Sequence, residues 1–296
     1  MLKRSDPRLL CAMYASRACL NRKQTRRNAA VPNSERSDLR SKTSQGGTPA
    51  TKRRRFTFAL MDVTKITQPD IFLWGLRIQE PTTMLTDLLI AGVCLYAFYQ
   101  LKRIGPKTKV TKLVRGFMLF MALANIIGGI IGHSFLYLVG EWGKLIGWYV
   151  SMFSITYIER ASILHAGKLI SEKVVKFFLV ANIVELIILV ALTTYYIHFR
   201  FVEFHSAYGF LVVVMSFHLY TYIKLRDVGS KYYLYAIGTL LVTVVIFEWP
   251  VIIHEFFNHK DFAHLFIALS IYLIYKGTLR LGTYERPLAN PSTLPA

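Results

Sequence analysis

The stretch NHKDFAH, residues 258–264, opens the last apolar run of the chain, LFIALSIYLIY at residues 265–275. Charge is costly at the start of a membrane helix, so ionisable side chains there either cap the helix or take part in chemistry. Asn258 followed by Asp261 is typical of an N-cap with an acid in the first turn. Both hypotheses, a cap and a functional site, stand for this stretch.

The composition favours a membrane protein, because 53% of the 296 residues are apolar and 14% are aromatic. Seven mostly uncharged runs approach or exceed the roughly 18 residues needed to cross a hydrocarbon core of about 30 Å. They lie near residues 84–101, 114–138, 144–159, 174–197, 206–223, 232–253 and 260–280. Few residues remain for a soluble domain. The sequence therefore predicts an all-α fold, a seven-transmembrane helix bundle.

The predicted organisation has four parts: a disordered basic tail at 1–60, an interfacial lead-in at 61–81, the membrane domain at 82–281, and a loose C-terminal end at 282–296. The tail carries fifteen Lys and Arg against three acids, a net +12 of the chain's formal +19. The basicity is thus mostly in the tail, and we expect no nucleic-acid partner. The alternatives for the tail are a transit-like segment, a solvated extension, or translation that starts at Met61.

The short loops predict an orientation. Those after the first, third and fifth runs, with the C-terminus, hold sixteen Lys and Arg, whereas the loops after the second, fourth and sixth hold three. By the positive-inside rule, the N-terminus lies outside and the C-terminus inside. The expected partner is the lipid bilayer, and the sequence does not indicate which membrane.

Histidines gather at one side of this predicted bundle. Six of the eight fall at outer helix ends: His133, His198, His205, His254, His259 and His264. Imidazoles and carboxylates are zinc ligands, and three of them with an open position make a catalytic site. The candidate metal ligands are His133, His264 and His259, and the candidate catalytic acids or bases are Asp261 and Glu248. The alternative is that histidine, like other amphipathic side chains, simply favours the membrane interface.

A second group of polar residues lies deeper in the apolar runs. Asn182 and Glu185 fall near the middle of the fourth run. They predict either a proton or ion relay or a polar pair satisfied between helices.

Two motifs resemble the CREST superfamily, which includes alkaline ceramidases and the progestin and adipoQ receptors. Gly132-His133-Ser134 is similar to the superfamily's second-span histidine, and residues 257–265 are similar to its seventh-span segment. The resemblance covers roughly residues 82–281. It implies a seven-helix bundle in which a zinc-bound water hydrolyses a lipid amide or ester.

The chain departs from that superfamily at three positions. Gly129 stands where a serine is usual, and Lys260 stands where the first of two histidines four apart is usual. The third-span aspartate has no match. The sequence therefore predicts one of two functions. The first is a zinc-dependent hydrolase of a lipid-like amide or ester at the outer membrane face; the second is a non-catalytic receptor, transporter-like protein or scaffold with a degenerate metal site.

Overall fold

The computed structural model describes residues 68–248 and 252–282. The predicted tail at 1–60 lies outside the described residues, as does the C-terminal end beyond residue 282.

Seven helical segments lie within the described residues, and each overlaps one of the predicted apolar runs. The all-α prediction is confirmed. Two of the segments include a π-helical stretch, here named π1 and π2. The elements in chain order are α1 (Pro81–Ile104), α2 (Lys109–Ile127), π1 (Gly128–Ser134), α3 (Leu136–Ala166), α4 (Glu172–Tyr196), α5 (Arg200–Ala207), π2 (Tyr208–Val214), α6 (Met215–Leu225), α7 (Val228–Glu248) and α8 (His259–Thr278).

Local sequence explains where several helices begin. Pro81 is the first residue of α1, where its missing N–H costs nothing. Thr108 and Ser171 cap α2 and α4, since each side chain accepts a hydrogen bond from the backbone N–H three residues later. At α8 the predicted cap is confirmed: Asn258 and Asp261 form a reciprocal capping box.

Five of the helical segments are long and apolar enough to cross a membrane: α1, α2 with π1, α4, α5 to α6, and α7. This finding supports a multi-pass membrane protein. The third predicted span, α3, carries Glu141 and Lys144 near its start and is bent at Gly140, which has φ +63°. The seventh, α8, opens on its ionisable first turn. Seven crossings and the orientation of the bundle remain predictions.

Two small antiparallel hairpins precede α1 and α8. In the first, β1 (Ile71–Leu73) pairs with β2 (Leu76–Ile78) inside the region predicted as an interfacial lead-in. Its turn residue Trp74 is 92% exposed. In the second, β3 (Ile252–His254) pairs with β4 (Phe257–Asn258). This hairpin occupies part of the sixth predicted run, because α7 already ends at Glu248.

The main core lies where α1, α2, α3, π2, α7 and α8 meet. Phe117 of α2, Ile158 of α3 and Tyr233 of α7 are fully buried within it. Since α1 packs against α2, π1 and α8, the start of α1 lies beside both the end of α2 and the start of α8. This packing brings the polar ends of three helices together.

Candidate functional site

Ionisable side chains from the beginning of α1, from π1 and from the first turns of α8 form one connected group. We name it the end cluster. Its members are Glu80, Asp87, His133, Lys260, Asp261 and His264.

Glu80, directly before α1, holds His133 in place. Its Oε2 lies 2.5 Å from His133 Nδ1, and its Oε1 lies 3.4 Å from Lys260 Nζ. Burial alone would raise the pKa of Glu80, but the bond from His133 and the positive charge of Lys260 outweigh it and lower the pKa from 4.5 to about 2. Glu80 is therefore ionised, and His133 Nδ1 is the donor. In neutral His133 the lone pair then lies on Nε2.

Asp87 of α1 lies between two imidazoles. Its Oδ2 is 3.7 Å from His133 Nε2, and its Oδ1 is 3.6 Å from His264 Nδ1. Both distances exceed those of a hydrogen bond. Asp87 is also buried at this helix interface.

Gly129 allows π1 to approach α1 at this point. A Cβ on Gly129 would lie 3.0 Å from Asp87 Cβ and 3.2 Å from the backbone oxygen of Met84. The serine expected from the superfamily resemblance would crowd α1. Glycine at position 129 therefore lets π1 pack directly against Asp87.

Thr86 fixes the second imidazole. Its hydroxyl lies 3.0 Å from the Thr83 carbonyl oxygen and 2.8 Å from His264 Nδ1. A carbonyl oxygen only accepts, so the single hydroxyl proton goes to Thr83 and His264 Nδ1 donates to Thr86. In neutral His264 the lone pair, as in His133, lies on Nε2.

Asp261 is occupied by hydrogen bonds. Its two oxygens accept from the backbone N–H of Asn258 at 2.8 Å, the Thr83 hydroxyl at 2.8 Å and the Gln68 amide at 2.6 Å. The side chain is fully buried. These bonds tie the first turn of α8 to the start of α1 and to the segment before it.

Two of the predicted site residues have other surroundings. Glu248, at the end of α7, is exposed and lies 3.7 Å from Arg200. His259 packs edge-on against Phe247, with ring centroids 6.2 Å apart. Among the described contacts, no hydrogen bond or ion pair joins either residue to Asp87, His133 or His264. The structure thus brings His133 and His264 together beside Asp87, without Glu248 or His259.

Sequence reasoning missed three members of this arrangement. Asp87 carried a visible signal, since it is a carboxylate inside an apolar run. Glu80 and Thr86 had no such signal, because their importance depends on which helix lies beside them.

No group of three or more His, Cys, Asp or Glu side chains within residues 68–248 and 252–282 is placed to hold a metal ion. The chemical types of the side chains in the end cluster still suit zinc. The cluster contains two imidazoles and a carboxylate, and Glu80 and Thr86 each hydrogen-bond one imidazole.

Residues 82–283 match the model of a family described as a family of unknown function, DUF6962. The chain belongs to this family. The DUF6962 region includes Asp87, His133, Lys260, Asp261 and His264, whereas Glu80 lies just before it. No curated protein and no solved structure matches the chain.

Proposed function

We propose that this protein is a multi-pass membrane hydrolase that acts on a lipid-like amide or ester at the end cluster. The observation that carries the proposal is the position of the buried Asp87 carboxylate between two imidazoles: its Oδ2 lies 3.7 Å from Nε2 of His133, and its Oδ1 lies 3.6 Å from Nδ1 of His264. A buried carboxylate and two imidazoles at the end of a membrane helix are costly, and ionisable residues in such places typically mark functional sites. The outer membrane face follows from the predicted orientation.

Zinc is the metal in this proposal, with Asp87, His133 and His264 as its ligands. Two ligands about 2.1 Å from a tetrahedral zinc lie roughly 3.4 Å apart. The separation of 3.7 Å between His133 Nε2 and Asp87 Oδ2 is close to that value. Bound zinc would supply a Lewis acid and a water whose pKa is about 7.

The chain's own residues prepare the site for this role. Glu80 keeps the proton of His133 on Nδ1, which leaves Nε2, the ring nitrogen that faces Asp87, unprotonated for a metal. Thr86 keeps the proton of His264 on Nδ1, so His264 would bind a metal through Nε2 and not through the nitrogen that lies 3.6 Å from Asp87. Lys260 pairs with the other oxygen of Glu80, and its positive charge helps to keep that carboxylate ionised. Asp261 serves the site indirectly, by fixing the start of α8.

Metal analysis of the full-length protein in detergent tests the proposal. We expect about one zinc per chain, and its loss in a His133→Ala, His264→Ala double variant. Asp87→Asn should weaken binding, because it removes a charged ligand. His254→Ala is the matched control, since His254 is exposed and its contacts among the described residues are with Phe256 of its own hairpin. Hydrolysis of a fluorescent ceramide or acyl ester should fall in step with zinc content.

One observation favours a second candidate, a non-catalytic receptor, transporter-like protein or scaffold. Lys260 stands where the resemblance implies a metal ligand, and it pairs with Glu80 instead. In that case the end cluster joins α1, π1 and α8 structurally. The double histidine variant would then lose thermal stability. The folded wild type would hold no zinc and would hydrolyse neither substrate, and this result would reject the hydrolase.

A further inference from the structure

A second buried polar group lies at the interface of α3, α4, α5 and π2, separate from the end cluster. We name it the interhelical cluster. Its members are Glu159, Asn182, Glu185 and His205, and all but Glu185 are buried.

His205 and Glu185 share a proton. His205 Nε2 lies 2.9 Å from the backbone oxygen of Met152, which can only accept, so Nε2 carries hydrogen. His205 Nδ1 lies 2.8 and 2.9 Å from the two oxygens of Glu185. A further proton must lie between Nδ1 and this carboxyl group, on one partner or the other. The pair thus retains a proton inside an apolar bundle.

Glu159 has a buried oxygen without a partner. One of its oxygens accepts a hydrogen bond from the Asn182 amide, whereas Oε1 has no hydrogen-bond partner among the described residues. The nearby Arg160 guanidinium donates to the Leu179 carbonyl at 3.1 Å and to Asn182 Oδ1 at 3.4 Å. An ionised carboxylate with an unpaired oxygen is costly in such a place, and binding a proton lowers that cost by removing the charge.

The space beside that oxygen is small. A Cβ on Gly209 of π2 would lie 2.9 Å from Glu159 Oε1 and 2.5 Å from the side chain of Ile155. Backbone packed this closely favours a proton over a larger cation with its hydration shell. The charged and titratable groups around Glu159 are Arg160 on α3, Glu185 on α4, His205 on α5 and Tyr208 on π2.

We propose that Glu159 is a proton-binding site within the membrane, beside the proton that the Glu185–His205 pair holds. The site is distinct from the end cluster in its residues and in the helices that carry it. It gives the bundle a proton-linked function that does not depend on hydrolysis.

Labelling with dicyclohexylcarbodiimide tests this proposal, because the reagent is apolar and reacts with protonated carboxyl groups. The acid O–H adds across a C=N bond of the carbodiimide, and the adduct rearranges to a stable N-acylurea without a leaving group. In the full-length protein in lipid vesicles, we expect the adduct on the peptide that contains Glu159. The rate should slow about tenfold per pH unit once the carboxyl is mostly ionised.

Glu159→Gln should abolish the adduct, whereas Glu172→Gln should leave it unchanged, since Glu172 is an exposed glutamate at the start of α4. Because peptide mapping is made on the wild type, a Glu159→Gln chain that fails to fold leaves the test intact. Absence of the adduct at every pH would overturn the proposal. A labelling rate that does not change with pH and is reduced by sodium or potassium would also overturn it, because that result would indicate a metal-cation site instead.

Discussion

Glu80 shows how a single residue can join several elements. Its backbone lies in the left-handed region, with φ +41°. For a residue other than glycine this conformation costs on the order of 1 kcal/mol. Its two oxygens bind His133 and Lys260, on π1 and α8. These contacts offset the backbone strain and hold the polar ends of three helices together.

The acid stability of the protein should depend on Glu80. Its pKa is lowered from 4.5 to about 2 in the folded chain, so its contribution is complete above about pH 4.5 and is lost as the pH falls toward 2. The shift corresponds to about 3 kcal/mol at neutral pH. We expect Glu80→Gln to lower the unfolding temperature in detergent at pH 7. We also expect the unfolding temperature of the variant to fall less steeply than that of the wild type as the pH is lowered. Parallel declines in wild type and variant between about pH 5 and about pH 3 would contradict this role.

At the level of the elements, the contact between π1 and α1 depends on one glycine of an adjacent pair. Gly129→Ala would place its Cβ 3.0 Å from Asp87 Cβ, whereas a Cβ on Gly128 meets nothing within 4 Å. We expect Gly129→Ala to destabilise the protein by about 1–3 kcal/mol through overpacking. Gly128→Ala, the matched control, should be neutral or slightly stabilising, since alanine favours a helix. Thermal unfolding in one detergent compares the two, and equal effects would mean that π1 shifts freely.

Helices could be predicted from sequence more fully than the site could. Apolar runs locate all seven helical segments, and Asn258 with Asp261 gives the cap of α8. Neither π-helical stretch has a comparable signal, because hydrophobic periodicity does not distinguish a wider turn. The predicted topology places His133 and His264 at the same end of the bundle. It does not predict Asp87 beside them, because the packing of α1 against π1 depends on tertiary contacts that the sequence pattern does not reveal. Glu248 is not among them, because at the end of α7 it is exposed and lies 3.7 Å from Arg200.

Two separate clusters of ionisable side chains lie on different sets of helices in the molecule as a whole. The end cluster joins α1, π1 and α8, and the interhelical cluster joins α3, α4, α5 and π2. Exposed side chains along α4 are largely apolar, as expected for a lipid-facing helix: Val180, Ile183, Val184, Ile187 and Ile188. Under the two proposals, the hydrolytic site and the proton site are therefore carried by different helices of one bundle.

The orientation of the whole bundle is testable with single cysteines. In a chain with Cys11→Ser and Cys19→Ser, the remaining Cys94 is buried and should not react. Arg200, the first residue of α5, and Lys107, in the loop between α1 and α2, are exposed at opposite predicted faces. We expect Arg200→Cys to react with a membrane-impermeant maleimide in intact cells, and Lys107→Cys to react only after permeabilisation, because the basic loops lie inside. The reverse pattern would place the end cluster on the inner face, and with it the substrate of the proposed hydrolase.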